Sequence, residues 1–427
     1  LTPEVNTDPC TTERFLKELA GDMQHLQPRG LLRELRVVSC AGPWLLSSDG
    51  RELVNFTGNS YLGLNDHPAM KRAAVRAVEA YGTGSGASLL ISGRWPIHEQ
   101  TERAFAAFKH AEAALLLPTG YMANLAVLTA LAGPGDLVCL DKLCHASLVD
   151  AARACGAVVR TYPHLKTDKL RRLLERHAAK PQAYPADDIT AHASGNTDHS
   201  GPVQHPPRRF IVTDSVFSMD GDCADLSAMC DLAEAFDAVL VVDEAHGTGL
   251  LGETGSGLCE AQGVTGRVHV TISTASKALG GLGGIITAGK PVIDTIVNRA
   301  RPVIYTTAIP PAQAAAIGQA VELIGTEPWR RERVVELTVR LRKGLSDLGW
   351  RLPPTGGHIV PIVPLIVGDA HTATKLAEHL YAHGIAAPAI RPPTVAPGSA
   401  RIRLSLRADM EYEHIEKLLK VVGPAID

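Results

Sequence analysis

From residue 113 onward the chain alternates short, almost wholly apolar runs with longer helix-like stretches. The runs are AALLLP (113–118), DLVCLD (136–141), AVVRTY (157–162), RFIVTD (209–214), AVLVVDE (238–244), VHVTIST (268–274) and GGIITAG (283–289). Most are too apolar for a strand with one wet face. That suits strands covered on both sides in a mainly parallel sheet. Segments such as NLAVLTALA (124–132) and LSAMCDLAEAF (226–236) supply helices between them. The last two runs are joined too tightly for a helical crossover, so one antiparallel strand is expected. The pattern predicts an α/β fold, a mainly parallel seven-stranded sheet with helices on both faces.

The flanks read differently. Residues 1–57 suggest a helical arm and a small hairpin, WLLSSDGRELVNF, turned at Asp49-Gly50. PPAQAAAIGQAVELI (310–324) opens a long helix, with proline near its start where the missing N–H costs little. It links residues 58–309 to a C-terminal α+β region, 310–427, containing IVPIVPLIVG (359–368), TKLAEHLYAHG (374–384) and ARIRLSL (400–406). Residues 181–207 break the rhythm. Rich in Pro, His, Ser, Asp and Gly, they read as a long exposed loop. His192, His199 and His205 lie there at spacings that fit no compact metal-ligand pattern, so no metal is expected.

Composition narrows the function classes. The 427 residues are 45% apolar and 20% charged, ordinary for a globular protein, and the net charge of −3 gives no basic field for nucleic acid. No apolar run approaches the ~20 residues a membrane helix needs. The first residues have neither a basic nor an apolar signal region, so a cytoplasmic location is expected. The eight scattered cysteines, with no Cys-x-x-Cys, read as buried free thiols.

Candidate chemistry clusters at strand ends, where open parallel sheets bind ligands. In TASKALGGLGG (274–284), Lys277 stands among small residues without an acid. It is a solvated charge, part of a phosphate loop, or a reactive amine. In VVDEAHGTG (241–249), Asp243 closes an apolar strand, where it either faces a cationic ring nitrogen or caps the next turn. His246 follows three residues on. DSVFSMDGD (214–222) offers the Ser218 hydroxyl, or is an ordinary turn. PTGYMAN (118–124) is a strand, a glycine turn and a helix start, where the Gly120 and Tyr121 amides could cradle a phosphate. His145 in DKLCHASLVD (141–150) could stack on a flat ring. Together these groups match the needs of pyridoxal 5′-phosphate (PLP).

With these motifs the chain resembles the α-oxoamine synthase family of fold-type I PLP enzymes, from about residue 14 to the C-terminus. NFTGNSYLGLNDHP, GTGSGASLLISG, VFSMDGD, VDEAHGTG, TASKALGGLG, VIYTTAIPPAQ and AIRPPTVAPGSARIRLSL carry the likeness. The resemblance implies that Lys277 binds the cofactor's aldehyde covalently and acts as the proton-transfer base. It implies Asp243 facing the pyridine nitrogen, His246 and Ser218 the ring oxygen, Thr274 with the Gly120 and Tyr121 amides holding the phosphate, and His145 stacked on the ring. Asn59 and Arg391 would meet the amino-acid carboxylate, Thr394 would lie near the substrate, and Arg33 near a distal carboxylate of the acyl group. Thr306 and Thr307 would reach the phosphate of a partner subunit in a homodimer with interfacial sites.

The implied reaction, closest to the biotin-pathway branch, condenses L-alanine with a pimeloyl thioester on coenzyme A or a carrier protein, with loss of carbon dioxide. Sibling reactions using glycine, or serine with a palmitoyl thioester, are the alternative. Ser60, where the biotin branch often has aspartate, and the 181–207 insertion depart from the family pattern.

Overall fold

The computed structural model describes residues 11–425 apart from 27, 30, 34, 36, 48, 49 and 180–205. The expected exposed loop at 181–207 and its three histidines therefore lie almost wholly, and the histidines entirely, outside the described residues. A helix Thr11–Leu26 leads into three strands, β1 (Val38–Ala41), β2 (Trp44–Ser47) and β3 (Glu52–Asn55). β2 and β3 pair antiparallel, as the hairpin pattern predicts.

All seven apolar runs form strands of one sheet: β4 (Ala113–Leu117), β5 (Leu137–Asp141), β6 (Val158–Tyr162), β7 (Arg209–Asp214), β8 (Ala238–Asp243), β9 (Val270–Thr274) and β10 (Gly284–Ala288). Their order is β4-β10-β9-β8-β7-β5-β6. β10 runs antiparallel to both neighbours, and every other pairing is parallel. The reason for the unbroken apolar runs is visible in the packing. Cys139, Ile211, Leu240 and Val242 enter a core on one face, while Val138, Leu140, Phe210, Val212 and Val241 enter a second core on the other. Successive side chains alternate faces, and both faces are dry.

The C-terminal region holds a sheet of β11 (Ile362–Gly368), β14 (Ala400–Ser405) and β13 (Ala389–Ile390), in the order β11-β14-β13. Two helices, Pro311–Thr326 and Trp329–Asp347, lead into it. One short strand, β12 (Ile385–Ala386), leaves that region and pairs parallel with β3, so the N-terminal hairpin and the C-terminal region share a four-stranded sheet. Local pattern gives no sign of this pairing.

The described cysteines are unpaired, as expected, and six are buried. Cys40 is the correction: it lies exposed on β1, an outer strand whose residues all face solvent. Among the described residues no helix is long and apolar enough to cross a membrane, and no His/Cys/Asp/Glu group could hold a metal ion.

Candidate active site

The carboxyl ends of β5, β7, β8 and β9 converge on a cavity of about 230 Å³. Parallel strands all deliver their following loops to this edge, so the chemistry-bearing motifs meet there although they are far apart in sequence. Gly120, Tyr121, His145, Asp243, His246, Thr274 and Lys277 line it, as do Asn124, Ser147 and Asp214.

Lys277 stands in the turn between β9 and β10. Its amine lies 2.7 Å from Nε2 of His246. Burial pulls the amine's pKa down from 10.5 to about 8, against the opposing pull of Asp243 and Asp214 and with some help from Arg403. His246 is held well below the usual imidazole value by burial and by the cations Lys277 and Arg403, so it is neutral. Its Nδ1 is 2.7 Å from the Tyr61 hydroxyl. A neutral imidazole beside a desolvated amine leaves the amine as the local base.

Asp243 closes β8 and is buried. Asn124 donates to its Oδ2 at 2.7 Å, and the Ala245 N–H donates to its Oδ1 at 2.8 Å. The turn-capping reading of this residue therefore holds through Oδ1, and the same residue also lines the cavity. Asp214, at the end of β7, is pushed well above the carboxylate range by burial and by the charge of Asp243. Both oxygens of Asp214 accept from the His145 N–H, at 3.4 and 3.1 Å. His145 caps the helix Ala146–Ala154, and its Nδ1 meets the Ser147 hydroxyl at 2.7 Å. Burial and Lys277 lower the His145 pKa, with Asp243 opposing, which favours a neutral flat ring.

The helix Gly120–Leu131 starts at the cavity wall, capped by Thr119, whose hydroxyl accepts from the Met122 N–H at 3.2 Å. The Ala123 N–H is taken by the Thr119 carbonyl. The N–H groups of Gly120 and Tyr121 belong to the first turn, which has no carbonyl partner within its own helix, and both residues line the cavity. A Cβ at Gly120 would stand 3.3 Å from Thr274, crowding the space between helix start and strand end. The glycines after Lys277 serve close packing: a Cβ at Gly284 would fall 2.3 Å from the Thr119 carbonyl.

The donor set fits PLP. A buried carboxylate suits a protonated ring nitrogen, a helix N-terminus suits a phosphate, and a desolvated amine suits an aldehyde. The Asn124 Oδ1 is buried without a partner at the same wall.

The other sequence-derived residues lie elsewhere. Ser218 does not line the cavity; its carbonyl accepts from Arg403 Nε at 2.5 Å. Asn59 does not line the cavity; its Oδ1 lies 3.1 Å from the Tyr61 hydroxyl, within reach of that hydroxyl's proton. Thr306 is half-buried and Thr307 exposed beside Ser88, and neither lines the cavity. Arg33 and Thr394 are exposed, and Arg391 is half-buried just after β13. Asn124, Ser147, Asp214, Tyr61 and Arg403 carry site contacts without having been singled out by pattern. All five stand inside the motifs quoted above, which was the available signal.

Comparison with known proteins agrees with this geometry. Residues 51–422 match the family described as aminotransferase class I and II. The 8-amino-7-oxononanoate synthase of Geotalea daltonii is 41% identical over 410 residues, 96% of this chain and 97% of that one. That of Alkalilimnicola ehrlichii is 43% identical over 399 residues, 93% and 94% of the two chains. Among solved structures, serine palmitoyltransferase from S. paucimobilis, carrying PLP joined to myriocin, matches with a TM-score of 0.84 at 26% identity. That match covers 97% of this chain and 98% of that one. The chain belongs to the aminotransferase class I and II family, and within it to the α-oxoamine synthases.

Proposed function

We propose that this protein is a PLP-dependent acyltransferase that condenses L-alanine with a pimeloyl thioester, giving 8-amino-7-oxononanoate, the free thiol and carbon dioxide. The observation that carries the reading is the half-buried, desolvated Lys277 amine, paired to a neutral histidine rather than to an acid. It sits in a cavity that also holds a buried carboxylate and a helix N-terminus. Near-full-length identity to named 8-amino-7-oxononanoate synthases supports the choice of reaction.

Lys277 would hold the cofactor's aldehyde, Asp243 its ring nitrogen, and His246 its ring oxygen. The Gly120 and Tyr121 amides with Thr274 would hold its phosphate, and His145 would cover its ring face. When bound, the cofactor supplies an electron-accepting ring that makes the α-proton of alanine removable. Lys277 takes that proton as a neutral amine, and returns it at the same atom to the product. An amine with a pKa near 8 has a usable neutral fraction at neutral pH, which an ordinary lysine lacks. The Asp243 charge, held in place by Asn124 and the Ala245 N–H, favours the protonated ring electrostatically. Asn59 and Arg391 are assigned to the amino-acid carboxylate, Thr394 to its surroundings, and Arg33 to the distal carboxylate of the acyl group.

The same reading assigns the chain to a cytoplasmic homodimer with interfacial sites, Thr306 and Thr307 turned toward the partner's phosphate. It divides the chain into an arm (1–57), a cofactor-binding domain (58–309) and a C-terminal domain (310–427). The structural likeness to a serine palmitoyltransferase favours a second reading, serine with a long acyl thioester. A matrix of amino acids against acyl thioesters, followed by thiol release and product mass, decides. Fastest turnover with L-alanine and a pimeloyl thioester is expected. A best pair of serine with a palmitoyl thioester overturns the proposal.

A further inference from the structure

Sequence pattern gives Tyr61 no role, yet it is the second link in a line of polar contacts that ends on Lys277. The line runs from Arg403 Nη2 to the Tyr61 hydroxyl at 3.2 Å, from that hydroxyl to His246 Nδ1 at 2.7 Å, and from His246 Nε2 to the Lys277 amine at 2.7 Å. Tyr61 and His246 are both buried, so bulk water does not substitute for the two contacts the Tyr61 hydroxyl makes to Arg403 and His246. We propose that Tyr61 is a positioning residue: by donating its proton to Nδ1 of His246 it fixes the Nε2–H tautomer, and so holds the Lys277 amine in its neutral, proton-accepting form. The inference rests on the reading of Lys277 as the base.

The argument is one of hydrogen-bond direction. A neutral imidazole carries one proton, and its other nitrogen accepts. If the proton is on Nε2, the group opposite must offer a lone pair. A neutral amine has one, and an ammonium has none. If the proton is on Nδ1, it points at the Tyr61 oxygen, Nε2 accepts, and an ammonium at Lys277 is satisfied. The tautomer of His246 and the charge of Lys277 are therefore linked.

Tyr61 decides between the two arrangements because it has a single proton and two acceptors in reach. His246 Nδ1 is at 2.7 Å and Asn59 Oδ1 at 3.1 Å. The shorter contact favours the imidazole. Arg403 strengthens the choice. Its guanidinium is held by the Ser218 carbonyl and by the Ser405 hydroxyl at 2.7 Å, and it donates into the Tyr61 oxygen. That occupies a lone pair of the hydroxyl and makes it a better donor.

The groups that face Lys277 come from five elements: His246 and Asp243 from the end of β8, Asp214 from β7, His145 from the loop after β5, Arg403 from β14, and Tyr61 from the loop after β3. The two carboxyls favour the ammonium. Burial and Arg403 favour the neutral amine, in the same sense as the tautomer.

The test is pulsed acylation of the cofactor-free full-length chain at stepped pH, with the Lys277 peptide read by mass spectrometry. Half-reaction near pH 8 is expected for the wild type. Tyr61→Phe should raise that midpoint by about one pH unit, the size of one net hydrogen bond. Asn59→Leu removes the competing acceptor and should lower it. An unchanged midpoint in Tyr61→Phe overturns the proposal. If Tyr61→Phe does not fold, as a thermal melt would reveal, Asn59→Leu decides alone: a lower midpoint supports the proposal, and an equal or higher one overturns it. Failure of the underlying reading is separately visible, because borohydride treatment of the loaded enzyme would then fix no label on Lys277.

Discussion

Two lysines lie within the same body of this protein, and their partners set them apart. Lys109, at the end of the helix Pro96–Phe108, is buried and closes on three oxygens: a carboxylate oxygen of Glu244, the Ser256 carbonyl and the Thr248 hydroxyl. Lys277 meets a neutral imidazole, and the nearest acids reach it only through space. Lys109 is buried and Lys277 half-buried, but the amines of both are largely desolvated. A buried ammonium satisfied by a carboxylate and two further oxygens is a fixed strut, because each partner holds it in one place and removing it would strand the anion. A desolvated amine without such a set exchanges its proton more easily. The difference teaches that desolvation makes a lysine reactive only where no carboxylate meets the amine directly.

The largest effect that tests this contrast is on catalysis. Lys277→Ala should lower turnover by at least about 10²–10⁴-fold, the usual size of a general-base contribution, while the unfolding midpoint in urea stays near that of the wild type. Thiol release within tenfold of wild type would remove Lys277 from the chemistry. Next comes stability. Lys109→Met leaves the Glu244 carboxylate buried and unpaired, at about 3–5 kcal/mol by urea unfolding. Adding Glu244→Gln should recover part of that loss in a double-mutant cycle. If Lys109→Met and Lys277→Met cost the same, the contrast fails.

A smaller effect concerns pH. The Lys277 pKa is lowered on folding from 10.5 to about 8, so the unfolded chain binds more protons between those values. Stability should therefore rise with pH across that window on account of this group, and Lys277→Ala should remove that part of the slope. The smallest effect is at His164, which bridges Asp141 at 3.0 Å and Asp222 at 2.9 Å. Burial opposes its charge, but the hydrogen bonds to both carboxylates prevail and raise its pKa to about 9. Its contribution is fully present below about pH 6.5 and is lost as pH rises through 9, the reverse sign to Lys277. Comparing His164→Gln with wild type across that range should show a gap that closes toward high pH.

Much of the central sheet is legible in the chain because two dry faces demand near-continuous apolar runs, and seven such runs stand out. The antiparallel β10 is legible too, from the short link after Lys277. Strand order is not, since no local pattern says that β7 lies between β8 and β5. The site divides along the same line. Asp243, His246 and Lys277 stand at strand ends beside small residues and can be picked out one by one. Tyr61 and Arg403 cannot, because their part depends on contacts across 185 and 342 positions of sequence. Asn124 reads as one polar residue in an apolar helix until Asp243 arrives beside it. Cys40 looks like the other thiols but sits on an outer strand with no covering layer.

The pairing of β3 with β12 has a consequence in time. Val54 lies opposite Ile385, so the small sheet joins residues synthesised well before the central sheet is complete to residues synthesised well after it. The central sheet can collapse while the chain is still growing, but the hairpin must wait with its apolar face exposed until β12 emerges. Closing so long a loop makes this a late and slow contact in folding. Substitutions in Leu53 or Val54 should therefore speed unfolding more than they slow refolding.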